Sequence, residues 1–173
     1  VPRSATLLLV RHAEESGNAG DVGLSLAGQA RAFAYAAFFR DRAAPARPLG
    51  TLIAATDQPD SHRPRLTLEP LAAAFNLPID ATLQETDIDG LVTRLNDGGR
   101  HDNATTLACW RHKQLPALVR ALGGALPHDK WPDHEYGWLL QFEFDAQGAL
   151  SSFAATSQRL MYGDGREPGE HGH

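Results

Sequence analysis

Cysteine is almost absent: Cys109 is the only one, so no intrachain disulfide, no CxxC redox pair and no cysteine-rich zinc module can form. Cys109 lies in the largely apolar run from Thr105 to Trp110 and reads as a buried strand residue, not a thiol nucleophile. Long hydrophobic runs are missing as well. The longest, Ala32 to Phe39, has eight residues, against the roughly 20 needed to span a bilayer, so the chain reads as soluble, with no membrane partner. Excess positive charge is lacking: 16 Lys and Arg against 21 Asp and Glu leave a formal charge of −5, which argues against a nucleic-acid or anionic-lipid partner and makes any phosphate site local. There is no P-loop, no GxGxxG and no repeat of 20 to 50 residues. The first residue is Val1, so a start residue, tag or leader is to be expected ahead of it; the compartment is read as cytoplasmic.

What is present fits one globular domain. The chain has 173 residues, 42% of them hydrophobic and 21% charged, the balance of a domain with a single sizeable core. Residues 1–162 are assigned to that domain, and the polar, Gly-rich stretch from Gly163 to His173 to a mobile tail. Apolar runs of strand length occur at Thr6 to Val10, Thr51 to Ala55 and Thr105 to Trp110, with a weaker one near Thr82 to Gln84. Between them lie helical stretches. The first is capped by Ser25 and runs to about Arg42, with Leu26, Ala30, Phe33 and Ala37 on its expected buried face. After a loop through Pro45 and Pro48, the second is capped by Asp60 or Ser61, carries Pro64 in its first turn and is expected to kink at Pro70. The third runs from about Asp87 to Leu95 and the fourth from Gln114 to Leu122. Two strands flanking Asp145 to Gly148 read as a hairpin. This alternation predicts an α/β class: three layers, α/β/α, with a mostly parallel sheet and a C-terminal antiparallel hairpin.

In such sheets ligands bind beyond the carboxyl ends of the strands, and three of those ends are rich in chemistry. The first is followed by Arg11, His12, Ala13, Glu14, Glu15 and, after two residues, Asn18; the second leads to His62 and Arg63; the fourth ends in Arg111 and His112.

These residues resemble the histidine phosphatase superfamily. Its first-strand pattern is Arg-His-Gly-Glu with an Asn seven residues after the Arg, and Leu8 to Glu14 followed by Asn18 keeps that spacing, with Ala13 in place of the glycine. Leu24-Ser25, Gly28 and Gln29-Ala30 are similar to the family's helix start. Arg63 followed by Thr67 fits the second arginine, with Arg65 as its nearest competitor; Cys109 to His112 before Leu115-Pro116 fits the second histidine, although Arg111 and Lys113 replace the small residues often found there. The resemblance covers roughly residues 6 to 123.

It implies a phosphatase that needs no metal or cofactor and acts on a phosphorylated small molecule or phosphoprotein. Arg11, Arg63, Asn18 and His112 would hold the phosphoryl oxygens, since planar guanidinium groups bind them through paired hydrogen bonds. His12, kept unprotonated by neighbouring cations, would attack phosphorus and form a phosphohistidine. Glu85 would supply the leaving-group proton, with Asp87 as the alternate. The bland readings stand beside these: Asp87 as a helix N-cap, Glu14 or Glu15 in a salt bridge, His62, His101, His128 and His134 on the surface, Trp131 and Trp138 in the core. A noncatalytic phosphate- or phosphopeptide-binding module of the same fold is the alternative, and the chain is short for a phosphoglycerate-type mutase. A metal site on the His171-x-His173 tail is the weakest reading.

Overall fold

The layout follows from one strand. In the computed structural model, which describes residues 2–42 and 47–169, the first apolar run is β1 (Ala5–Arg11), buried along its whole length. Its side chains alternate, Leu7 and Leu9 entering one core and Leu8 and Val10 the other. A strand buried on both faces requires a layer on each. One face is covered by α1 (Leu26–Arg42) and α2 (Arg63–Phe75), which supply Tyr35, Phe39, Leu68 and Leu71. The other is covered by α3 (Ile88–Leu95) and α4 (Leu115–Ala121), through Leu91, Leu95, Leu118 and Val119.

The remaining strands are β2 (Leu49–Ala55), β3 (Ile79–Leu83), β4 (Thr105–Trp110), β5 (Trp138–Phe144) and β6 (Leu150–Ser157). They form a six-stranded sheet in the order β3-β2-β4-β1-β5-β6. The first four are parallel and the last two join as an antiparallel hairpin on β1, so the expected α/β class and C-terminal hairpin are both present. Because β4 is inserted between β1 and β2, Arg11 pairs in register with Trp110 and the chain leaves these two strand ends in opposite directions, to α1 on one face and α4 on the other. A crevice opens where neighbouring connections diverge. His12 stands at its base, its N–H donating to the Trp110 carbonyl at 2.9 Å.

Several local expectations are corrected. On α1 the four residues assigned to the core, Leu26, Ala30, Phe33 and Ala37, are all exposed, and Gly28, Arg31, Ala32, Tyr35 and Phe39 are buried instead. The helix is rotated because Arg31 faces inward to meet buried carboxylates. For the same reason Gln29 and Ala30 of the helix-start motif are exposed. The α2 cap is His62, one residue later than expected, and the helix runs on through Pro70 to Asn76, which ends it in the left-handed conformation at φ 52°. His101 is not a surface residue: it is buried, its Nδ1 3.0 Å from the Thr106 hydroxyl.

Within the stretch read as a tail, Asp164 and Arg166 contact the rest of the fold. Asp164 is buried against Arg31, and the Arg166 carbonyl accepts from Trp138 Nε1 at 3.1 Å. Pro45 and the His171-x-His173 pair lie outside the described residues. Among the described residues no cluster of His, Cys, Asp and Glu suits a metal ion, and no helix is long and apolar enough to cross a membrane.

Candidate active site

His12 follows β1 directly and is only 2% exposed. Its Nδ1 lies 2.8 Å from the Ala13 carbonyl, which fixes the proton on Nδ1 and leaves the Nε2 lone pair available. Burial pushes its pKa down to about 3; the bond to Ala13 opposes the shift, and the charges of Arg11, Arg63 and His112 add to it. A neutral imidazole surrounded by cations is the state a nitrogen nucleophile needs. The loop beyond it is pinned by α2. Ala13, fully buried, donates its N–H to Thr67 Oγ1 at 2.8 Å, and Thr67 donates onward to the Arg63 carbonyl at 2.7 Å. That pair of bonds holds the residue after His12 and the first turn of α2 together.

Arg11 ends β1 and has no exposed surface. Its Nη1 donates to the carbonyls of Asp133 at 2.6 Å, Glu135 at 2.9 Å and Pro132 at 3.3 Å, and the Tyr136 ring lies over the guanidinium at 3.8 Å. The segment 131–136 thus wraps one end of the arginine, itself braced by the Trp131 indole N–H donating to the Glu135 carbonyl at 2.8 Å. The other donors of Arg11, Nε and Nη2, are buried with no hydrogen-bond partner among the described residues, and so is Nδ1 of His112. Such unsatisfied groups cost on the order of 1–3 kcal/mol each, and the charges of both residues act on His12. An oxyanion is the ligand that would satisfy them.

Arg63 opens α2 and is 7% exposed. Its Nε donates to the Gly23 carbonyl at 2.9 Å, Nη2 to the Asp21 carbonyl, and Nη1 is ion-paired with Glu15 at 2.9 Å. Its competitor Arg65 is turned away, held by Asp57 at 2.8 Å and by Glu69. His112 follows β4, with Nε2 3.5 Å from the exposed carboxylate of Asp133. Burial, then the Arg11 charge, lowers its pKa, with Asp133 acting the other way. A cavity of about 230 Å³ opens beside it.

The other expected residues are placed differently. Asn18 is exposed in the loop after β1; its carbonyl accepts from Asp21 N–H at 3.0 Å, and its side chain makes no hydrogen bond among the described residues. The structure does not bring it onto Arg11 or His12. Glu85 lies at the end of β3, its carbonyl accepting from the Trp110 indole at 2.7 Å and its carboxylate ion-paired with Arg111 at 3.0 Å. Asp87 is a helix cap, accepting from Gly90 N–H at 2.9 Å. Cys109 is buried, its thiol pushed up by desolvation, and is no nucleophile. Trp131 and Trp138 are buried, their rings 4.9 Å apart.

Glu14 and Glu15 both form the expected salt bridge with an arginine, Glu15 with Arg63 and Glu14 with Arg31. Two participants were not legible in advance. Tyr136, with the carbonyls before it, comes from a loop of no periodicity. Arg31 was missed because it looks like a surface residue. Its guanidinium is gripped by Glu14 and Asp164, both at 2.7 Å, and by Gln158 at 2.8 Å. Those carboxylates raise its pKa against the opposing effect of burial.

No family model and no curated protein sequence matches the chain. Solved structures do. The protein histidine phosphatase SixA complexed with tungstate superposes with a TM-score of 0.62 at 18% identity, covering 88% of this chain and 97% of that one. Phosphoglycerate mutase from Plasmodium falciparum gives 0.58 at 13% identity, covering 90% and 92%. Phosphoserine phosphatase from Entamoeba histolytica, in complex with phosphoserine, gives 0.55 at 13% identity, covering 90% and 98%. At these identities the likeness is one of fold, shared with a protein histidine phosphatase, a phosphoglycerate mutase and a phosphoserine phosphatase.

Proposed function

We propose that this chain, built on the histidine phosphatase fold, is a phosphatase that hydrolyses a phosphomonoester or a phosphohistidine through a covalent intermediate on His12, without a metal. The observation that carries the reading is the pairing of a buried neutral imidazole with two unpartnered donors of a fully buried arginine. Arg11 Nε and Nη2 would take the nonbridging oxygens, with Arg63 and His112 completing the charge on the phosphoryl group.

The chemistry takes two balanced steps. The Nε2 lone pair of His12 forms a bond to phosphorus as the bond from phosphorus to the leaving oxygen or nitrogen breaks; the departing group takes a proton from solvent, which the water consumed in the next step returns. Water then attacks phosphorus, the N–P bond breaks, and orthophosphate and neutral His12 are released. Nδ1–H stays on the Ala13 carbonyl throughout and spreads the positive charge that develops on the ring. For the first step the Glu85 carboxylate would have to leave Arg111, its ion-pair partner at 3.0 Å in the arrangement seen. The reaction would therefore favour leaving groups that depart readily.

The same ion pair favours a second reading, a phosphate- or phosphopeptide-binding module without turnover. The two separate cleanly. Phosphate release from p-nitrophenyl phosphate and a phosphohistidine peptide, measured under chelator, should occur with the wild type and be lost in His12→Ala. Saturable phosphate binding with no release from either protein would favour the module; release that survives in His12→Ala would overturn the mechanism.

A further inference from the structure

Arg63, Arg111 and His112 each already face a carboxylate. Glu15 Oε2 lies 2.9 Å from Arg63; Glu85 and Asp60 lie 3.0 and 3.3 Å from Arg111; Asp133 lies 3.5 Å from His112. The cavity beside His112 is lined by Lys113 and Lys130, but also by Asp129 and Asp133, so its formal charges cancel. Among these groups, the buried side-chain nitrogens with no hydrogen-bond partner among the described residues are Nε and Nη2 of Arg11 and Nδ1 of His112. The pocket is thus furnished to receive one anionic group, and it holds no further uncompensated cation for a second.

Glu15 is the carboxylate paired with Arg63. Besides Arg63 it meets the Tyr136 hydroxyl, which donates to Oε1 at 3.5 Å, and its charge acts on Arg11, His112 and Tyr136 alike. Those are the groups that would surround a phosphoryl group on His12. We infer that Glu15 is a specificity-determining residue: it shares the Arg63 guanidinium with the incoming phosphoryl group and selects against substrates whose leaving group carries negative charge.

The inference rests on the phosphatase reading and deepens it. A phosphoryl group entering the clamp displaces the Glu15 carboxylate from Arg63, and the displaced charge stays beside the leaving group, because its backbone follows Glu14, which is anchored on Arg31. A carboxylate or second phosphate on the leaving group meets Glu15, Asp133, Asp60 and Glu85. A neutral or ammonium-bearing one does not suffer that repulsion. One unit charge about 4 Å away, screened nearly as in bulk water at the open mouth of the pocket, corresponds to roughly a five- to tenfold preference.

The test compares wild type with Glu15→Gln on three phosphomonoesters: phosphoethanolamine, p-nitrophenyl phosphate and 3-phosphoglycerate. Relative to p-nitrophenyl phosphate, the variant should gain roughly five- to tenfold in kcat/KM on 3-phosphoglycerate and lose a similar factor on phosphoethanolamine. Glu15→Asp, which keeps the charge, should retain the wild-type ranking. Inorganic phosphate, titrated calorimetrically, should bind Glu15→Gln roughly five- to tenfold more tightly. An unchanged substrate ranking with unchanged phosphate affinity overturns the inference while leaving the phosphatase reading intact. No phosphate release from wild type on any of the three substrates overturns the phosphatase reading, and the phosphate titration still decides whether Glu15 occupies the clamp.

Discussion

Ala13 donates its backbone N–H to Thr67 Oγ1 at 2.8 Å, so the residue following His12 is fastened to the helix that carries Arg63. Thr67 is fully buried and passes the bond on to the Arg63 carbonyl. Thr67→Val keeps the shape and removes the acceptor, leaving the Ala13 N–H buried and unsatisfied. The expected cost is about 1–3 kcal/mol of stability, read by chemical denaturation. Because His12 and Arg63 lose their common anchor, kcat should fall further than the thermal midpoint alone would suggest. A variant of wild-type activity and stability would remove this bond from the account.

Arg63 is expected to grip phosphate through a planar pair of donors. Arg63→Ala should weaken binding of inorganic phosphate by roughly ten- to a hundredfold. Arg63→Lys should recover only part of that, since an ammonium cannot make the paired contact. Full recovery by lysine would reduce the residue to a point charge.

The pH behaviour of His12 has a definite sign. Its pKa falls from an ordinary 6.5 to about 3 on folding, so between those values the unfolded chain binds the proton and the folded chain does not. Stability is therefore present in full above 6.5 and declines on acidification by about 1.4 kcal/mol per pH unit from this group, until about pH 3. His112 and His101, both lowered chiefly by burial, act in the same direction. In a proton NMR titration the His12 ring should not titrate between pH 8 and 5. A midpoint near 6.5 would contradict a buried neutral nucleophile.

The Glu14–Arg31–Asp164 cluster joins the loop after β1 to the C-terminal segment. Replacing Arg31 by Met strands two carboxylates in a largely buried place, at an expected cost of about 3–5 kcal/mol. Asp164 is opposed by burial but held below the ordinary carboxylate range by Arg31, so the stability it supplies is present above about pH 4 and lost as pH falls through its folded pKa. Truncation after residue 157 should unfold the protein at temperatures the full chain survives. Equal melting of the truncated and full chains would show that the cluster is not holding the fold.

The same cluster marks the boundary of what the sequence reveals. β1 and β4 are apolar runs bounded by charged residues, so local pattern alone places them and the Arg-His pairs at their ends. The inward face of α1 is invisible to that logic: Arg31 counts as a surface residue until its partners, 17 and 133 positions away, are in place. Tyr136 reaches Arg11 from a loop 125 positions downstream of it by simple subtraction, again with no local signal. Motif spacing singled out His12, Arg11, Arg63 and His112, and in the fold the charges of the other three act on His12, whereas Asn18 is exposed and Glu85 is paired with Arg111. Sequence spacing says where a residue sits on the chain; which carboxylate meets which arginine is decided by packing.

The most direct test of the account is to mix enzyme with a phosphate donor, quench within milliseconds in alkali and locate bound phosphate by mass spectrometry. The account predicts one alkali-stable, acid-labile phosphoryl group on His12 in the wild type and none in His12→Ala. Turnover by the wild type with no phosphorylated histidine, or with the group on another residue, would contradict it.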